Sequence, residues 1–374
     1  GFGIDFAALA TRKGLAALDA RFLERLAGCD ADLQARLLAA REAPEKLAKA
    51  DESALMIALA PMLEAFLGEL FGISAELGAI AAETRRLDAI HRCKRLFVQR
   101  QAVRKYPDSA DFDGPALRAK LEALVGAPLS ELGFAEAVVA WEKDGATEPL
   151  DVAMRYAAWA TLTAAGQAQW RGGTLFSVPA KTDPMHLVPL VHETHAGVDV
   201  QGLPLDMFRH RDGFSLTDAG MTRQQALDSM NYCIWCHNQG KDSCSHGLRD
   251  RKTGDFQKAP FGVTLAGCPL EEKTSEMQSL RAAGLLLGAF ATITTDNPML
   301  AATGQRICND CVKACIYQRQ TPVDIPQAET EILREVLALP WGFEIYALLT
   351  RWNPLDIRRP LPRPSSGRKV LVVG

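Results

Sequence analysis

The sequence lacks an excess of charge of either sign. Its 42 Lys and Arg stand against 45 Asp and Glu, a net charge of −3. No global basic field would draw nucleic acid, and none is expected as a partner. Long apolar runs are missing too. The longest candidate, Ala282 to Ile293, is short and contains glycines, whereas a membrane span needs about 20 successive apolar residues. No membrane partner is therefore expected. The start, at Gly1, shows no secretory signal, and a cytoplasmic location is the expectation. Cysteine is nearly absent from the first 230 residues, where only Cys29 and Cys93 occur. An even spread in a small secreted chain would suggest disulfides; this distribution does not.

A length of 374 residues suggests two or three domains, and 48% hydrophobic residues can fill an ordinary core. Residues 1–165 read as a helical bundle of unassigned role. From Leu15 to Leu38 the apolar side chains Leu18, Phe22, Leu23, Leu26 and Leu33 recur mostly three to five apart. Asp51 is a candidate cap for a helix over Ala54–Leu70. "TRRLDAIHRCKRLFVQRQAVRK" continues the pattern with a basic exposed face. Cys93, inside it, and Cys29, beside Gly28, read as ordinary semi-buried thiols.

Residues 166–230 change character. Glycine, proline and short β-prone runs predict a mixed strand and loop connector. His192 and His195 are three apart there, but their valine and proline neighbours and the missing H-E-x-x-H pattern argue against a metal-binding helix. The seven remaining cysteines lie in residues 231–350. Residues 351–367 read as an exposed proline-rich linker. The chain ends "GRKVLVVG", a basic start followed by four apolar β-formers and a glycine, which suits the first strand of a parallel sheet over 368–374.

The cysteines carry the chemistry. Cys233 and Cys236 form C-x2-C, Cys244 follows, Cys268 precedes Pro269, and Cys308, Cys311 and Cys315 form C-x2-C-x3-C. A C-x2-C turn aims two thiolates at one metal or cluster, and Cys-Pro often ends ferredoxin-type ligand runs. Three readings compete. Two four-iron clusters need eight ligands, one more than seven cysteines supply. One zinc site would take four thiolates, as in a structural interaction module, but the C-x2-C pairs stand roughly seventy residues apart and three thiols would be left over. A dithiol redox centre would use one pair and leave the rest idle. Pro269 is expected in the first turn of one amphipathic helix running through "LEEKTSEMQSLRAAGLLLGAF", whose positive end would face Cys268. Lys241, Arg249, Arg251, Lys252, Arg306 and Lys313 surround the ligands in sequence. They would either raise a cluster's potential or form a solvated surface.

The run from Cys268 to Leu333 resembles the two-cluster iron–sulfur domain at the N-terminus of the glutamate synthase small subunit, shared by dihydropyrimidine dehydrogenase and related flavin-dependent NAD(P)H oxidoreductases. The marks are Cys268-Pro269, Asp296-Asn297-Pro298, Thr303-Gly304, the three cysteines from Cys308, and Pro322-Val323-Asp324-Ile325 leading to Glu329. With the first cysteine group and "GRKVLVVG" it covers residues 231–374, about two-fifths of the chain. The fold expected is mainly α: to the helical N-terminal domain read from periodicity, the resemblance adds an α-helical domain with two [4Fe–4S] clusters and the first strand of a Rossmann-like FAD domain. The resemblance implies one cluster on Cys233, Cys236, Cys244 and Cys315. The other would sit on Cys268, Cys308 and Cys311 with Glu329 as its eighth ligand. Gly374 would open the FAD-binding glycine loop. FAD, NAD(P)H and a redox partner domain or subunit follow from the same resemblance, with an oligomer possible, and the activity implied is oxidoreductase. Two departures stand out. In the family the first four cysteines form one compact run, whereas 23 residues separate Cys244 from Cys268 here, so that His237 or His246 are candidate substitutes for Cys244. Cys308 and Cys311 are also closer together than is usual.

Overall fold

A computed structural model describes residues 2–373 apart from 209, 218–219 and 305–306. The calls on Gly374 and Arg306 lie outside the described residues. Helix accounts for 58% of the structure and strand for 4%, so the fold is mainly α, as the sequence suggests.

The first long helical segment is two helices. α1 (Arg12–Cys29) ends at Asp30, whose extended backbone breaks the spiral and whose carboxylate accepts from Leu33 N at 2.9 Å to cap α2 (Ala31–Glu42). α3 (Lys49–Phe71) starts earlier than expected. Ala48 is its N-cap, and Asp51 sits in the first turn, where a carboxylate favours the positive helix end. Among the described residues α3 is the one helix long and apolar enough to cross a membrane, with mean hydropathy 1.7. Its glutamates hide that in the sequence. It is a core helix instead: Leu55, Met56, Leu59, Leu63, Phe66 and Leu67 are all buried. α4 (Ser74–Cys93) runs on into a π-helix, Lys94–Ala102. α5 (Gly114–Val125), α6 (Glu131–Asp144) and α7 (Thr147–Leu162) complete the first region. Cys29 is exposed; Cys93 is buried, and desolvation pushes its thiol up, as an inert core thiol requires.

The sheet is one exposed hairpin, β1 (Val191–His195) against β2 (Val198–Gly202), turned by Ala196 and Gly197, both at positive φ. His192 and His195 stand on it in solvent, and His195 Nε2 lies 2.9 Å from Glu193. Beyond it come α8 (Arg223–Tyr232), α9 (Thr274–Ala282), α10 (Leu286–Asp296), α11 (Ile325–Ala338) and α12 (Gly342–Leu349). The single helix expected after Pro269 is thus corrected twice. It starts at Thr274, so Pro269 lies ahead of it, and Gly284 at φ 92° divides it.

The regions marked off in the sequence share one hydrophobic core. α10 lies against α3 at Gly288, where an added Cβ would stand 2.9 Å from the Ala60 Cβ. Gly288 N donates to Glu64 Oε2 at 3.0 Å. Arg281 of α9 is fully buried; it donates to Glu335 of α11 at 2.6 Å and to Thr84 of α4 at 2.9 Å. The expected exposed linker is corrected over its first part only; residues 363–367 are exposed. Trp352 is fully buried between Phe22 and Phe66 and donates through Nε1 to Asp19 at 3.0 Å. Asn353, Leu355 and Ile357 are buried with it. An indole seated among aromatic rings with its N–H satisfied gains more than a hydrated connector would. Residues 368–373 form no strand; Val370, Leu371, Val372 and Val373 are 84–86% exposed, with no neighbouring strand to pair.

Burial pushes the Glu64 carboxyl up to about 7 from 4.5, partly offset by the amides of Gly288 and Leu287. A raised folded-state pKa means the site's contribution is full below the ordinary glutamate range and is lost as pH rises towards 7. Glu64→Gln lacks that loss. Relative to wild type its stability should rise between pH 4.5 and 7, by up to ~3 kcal/mol in urea unfolding. Parallel pH profiles for the two proteins would contradict this.

Candidate metal centre

The seven cysteines collect into two groups. Cys233, Cys236, Cys244 and Cys315, up to 82 positions apart in the chain (315 − 233), line one cavity together with Thr274, Val323 and Ile325. Local backbone aims each thiol. Cys233 ends α8, whose start is fixed by a capping box between Thr222 and Gln225. Trp235, at φ 51°, turns the chain sharply between Cys233 and Cys236, and its N–H lies 3.4 Å from Cys233 Sγ. Such a backbone state strains a non-glycine residue and holds only where its surroundings fix it. The indole N–H donating to Met230 O at 3.2 Å is part of that hold. Asp242 caps the short helix that carries Cys244.

Burial pushes the Cys233 thiol up to about 12 and Cys236 to about 11, and Cys244 also moves up through its hydrogen bond to Cys315 and burial. Cys315 moves the other way, to about 6, because Cys244 donates to it and the amides of Tyr317, Val323 and Ile316 point at its sulfur. The pocket thus favours one thiolate, and holding all four would need a compensating cation.

The second group is Cys268, Cys308, Cys311 and Glu329. Burial raises the Cys311 thiol, and neighbouring Glu329, Cys268, Glu272 and Cys308 raise it further. Cys268 reaches about 11 through burial, opposed by amides of Glu272 and Leu270. These turn amides do for Cys268 what a helix end was expected to do. Glu329 lies on α11, its side chain buried and its Oε1 with no hydrogen-bond partner. Its carboxyl is raised well above the glutamate range by burial and then by Glu272. Cys308 is exposed, its sulfur 3.6 Å from Asp310 Oδ2. Glu272 is the residue sequence reasoning missed. It sits in a segment read as amphipathic helix, whereas in the structure it precedes the helix start at Thr274 and is buried.

A buried carboxyl oxygen without a hydrogen-bond partner is costly unless a proton or a cation meets the group. Three thiols beside such an oxygen, and four thiols around one cavity, are donor sets suited to iron or other soft metal centres. Among the described residues no group of three or more His, Cys, Asp or Glu side chains would hold a single metal ion.

The insertion between Cys244 and Cys268 closes on itself. Cys268 N donates to Cys244 O at 2.8 Å, and Leu248 N to Leu265 O at 2.9 Å. Gly247 and Gly267, at φ 82° and 81°, lie back to back; a Cβ on Gly267 would stand 2.5 Å from Gly247 N. The 23 residues loop out and return to where they left, so Cys244 and Cys268 are neighbours despite their spacing. The two candidate histidines stay outside the thiol cavity. His237 Nδ1 lies 2.6 Å from Ser275 Oγ, and His246 faces Lys49 and Glu271. They line a separate hollow of about 580 Å³ between α3 and the cysteine loops. The surrounding cations act mainly as surface: Lys313 pairs with Asp310 at 2.9 Å and Arg249 stacks on Phe256. Lys241 acts on Cys236, opposing its upward shift.

Residues 1–72 match the family described as RP005 N-terminal alpha-helical domain. Uncharacterized protein RP005 of Rickettsia prowazekii (strain Madrid E) is 32% identical over 308 residues, 76% of this chain and 99% of that protein. Uncharacterized protein RP006 of the same organism is 63% identical over 76 residues, 20% of this chain and 11% of that protein. No solved structure matches.

Gly267→Ala should force Gly247 away and part Cys244 from Cys268. A loss of about 1–3 kcal/mol is expected in denaturant unfolding, since the substitution adds a clash to a positive φ. Unchanged stability would mean that the loop closure is loose.

Proposed function

We propose that this chain, which belongs to the RP005 family, binds two four-iron clusters and passes single electrons between a flavin and a partner redox centre. One observation carries the reading: cysteines scattered from 233 to 315 gather as Cys233, Cys236, Cys244 and Cys315 in one cavity, and as Cys268, Cys308 and Cys311 beside buried Glu329 in another place. That division follows the interleaved ligand sets of two-cluster domains.

The residues would act in stated ways. The four thiols of the first cavity would hold one cluster, with amides of Trp235, Tyr317 and Val323 directed at Cys233 and Cys315. Hydrogen bonds of this kind stabilise the more negative state and raise a potential. Cys268, Cys308, Cys311 and Glu329 would hold the second, and Glu272 would share the Glu329 proton whenever the site is unmetallated. When bound, each cluster supplies a centre that takes up and returns one electron. The protein buries most of the first site, leaves Cys308 of the second exposed, and would keep the two centres in fixed relation through the backbone hydrogen bond between Cys244 and Cys268.

In a longer oxidoreductase, NAD(P)H would supply electrons through FAD, and a redox domain or subunit would receive them. The cytoplasm suits such a protein, as either a monomer or an oligomer. Residues 1–374 carry no complete nucleotide-binding motif and should not oxidise NAD(P)H by themselves.

The test is EPR of protein purified without oxygen and reduced with dithionite. Two reduced-cluster signals are expected. Cys244→Ser should remove one and Cys268→Ser the other, while Glu329→Gln should shift the potential of the Cys268 site alone. A silent spectrum, or stoichiometric zinc in place of iron, would defeat the reading.

A further inference from the structure

We infer that the groove beside Cys233 binds a small planar aromatic electron carrier bearing an anionic group, and is the port where that carrier exchanges electrons with the first metal site; this rests on the proposed function. The groove has a volume of about 760 Å³, within the range of small-molecule sites. Cys233, Ile234 and Tyr317 line both it and the four-thiol cavity. A molecule in the groove would therefore touch a proposed ligand directly, with one layer of side chains between the two redox partners.

The walls define the occupant. Tyr232 and Tyr317 stack at 4.4 Å with their planes 9° apart, and Trp235 stands beside them. Such rings suit a flat π system. Lys94, Arg95 and Arg100 line the same groove, and Asp228 is the one acid in the lining. Asp228 is already engaged, 2.6 Å from Lys94 Nζ and 3.6 Å from His91 Nδ1. Arg95 and Arg100 form no ion pair among the described residues. Two unmatched guanidinium groups call for a phosphate, sulfonate or carboxylate, which they can bind in a fork.

The backbone supplies an independent indication. Arg95, Gln99 and Arg100 belong to the π-helix Lys94–Ala102. In an α-helix residues five apart point in different directions; an i→i+5 ladder brings them round to the same side. A nine-residue π-helix is rare, and π segments concentrate at functional sites. Here it turns Arg95 and Arg100 to one groove.

Each exchange moves one electron between the reduced protein and the carrier's ring. A quinone carrier would take two electrons in succession and two protons from water, while two protein centres are each oxidised by one electron.

Anthraquinone-2-sulfonate is a suitable probe, with 2-(hydroxymethyl)anthraquinone as its neutral match. Binding to the oxidised protein is read by tryptophan quenching, and reoxidation of protein reduced by stoichiometric dithionite is read by stopped flow. We expect the sulfonate to bind and reoxidise at least tenfold better than the neutral compound. The double variant Arg95→Gln, Arg100→Gln should lose that advantage, and Arg95→Lys, Arg100→Lys should retain most of it. Equal behaviour of the two probes would overturn the inference, as would reoxidation indifferent to the glutamine pair despite tighter sulfonate binding. Protein that contains no iron but still binds the sulfonate would place the failure in the cluster reading and remove the port with it.

Discussion

The hydrogen bond from Cys268 N to Cys244 O, at 2.8 Å, is the joint on which the cysteine-rich half depends. Cys244 belongs to one thiol group and Cys268 to the other. Closing the loop between them fixes the groups relative to each other and makes a long insertion irrelevant to their geometry. Loop length costs little once the ends are held, since closure entropy grows only logarithmically. Gly247 and Gly267 make the close approach possible, because each needs both a positive φ and an absent side chain.

The support for that joint comes from the other half of the chain. α3 packs its apolar length against α10, and Arg281 ties α9 to α4 and α11. Trp352 then brings the segment after α12 back onto α1 through Asp19, itself paired with Arg41 at 2.8 Å. A buried, fully bonded cation and a buried indole fix relative positions more sharply than apolar contact alone. The helical region is therefore a scaffold for the cysteine loops, with which it shares one core. Burial raises the thiols of Cys233, Cys236, Cys268 and Cys311, and Cys244 rises through its hydrogen bond to Cys315 and burial. A metal centre would reverse these shifts, while Cys315 moves down because Cys244 donates to it.

Much of this was legible in the residues. The cysteines, their C-x2-C spacing and the neighbouring proline are local signals that mark out the segment. The division into two groups comes from the family resemblance, and the structure sets Cys233, Cys236, Cys244 and Cys315 around one cavity with Cys268, Cys308 and Cys311 apart from it, near Glu329. Helices were legible from their periodicity, and the missed breaks are at Asp30 and Gly284, where one residue decides a backbone angle. Burial decided by distant partners was not legible. Trp352 lies in a proline-rich stretch that looks exposed until Phe22 and Phe66 meet it, and nothing in the sequence singles out Glu272, which is buried ahead of the helix that starts at Thr274. The π-helix was not legible in the sequence, since it differs from an α-helix only in hydrogen bonds that span one residue more.

The most direct measurement is iron, zinc and acid-labile sulfide per chain in protein purified without oxygen. About eight iron and eight sulfide with little zinc is the result predicted for two four-iron clusters. Zinc without sulfide would contradict the account and make the cysteine groups structural staples.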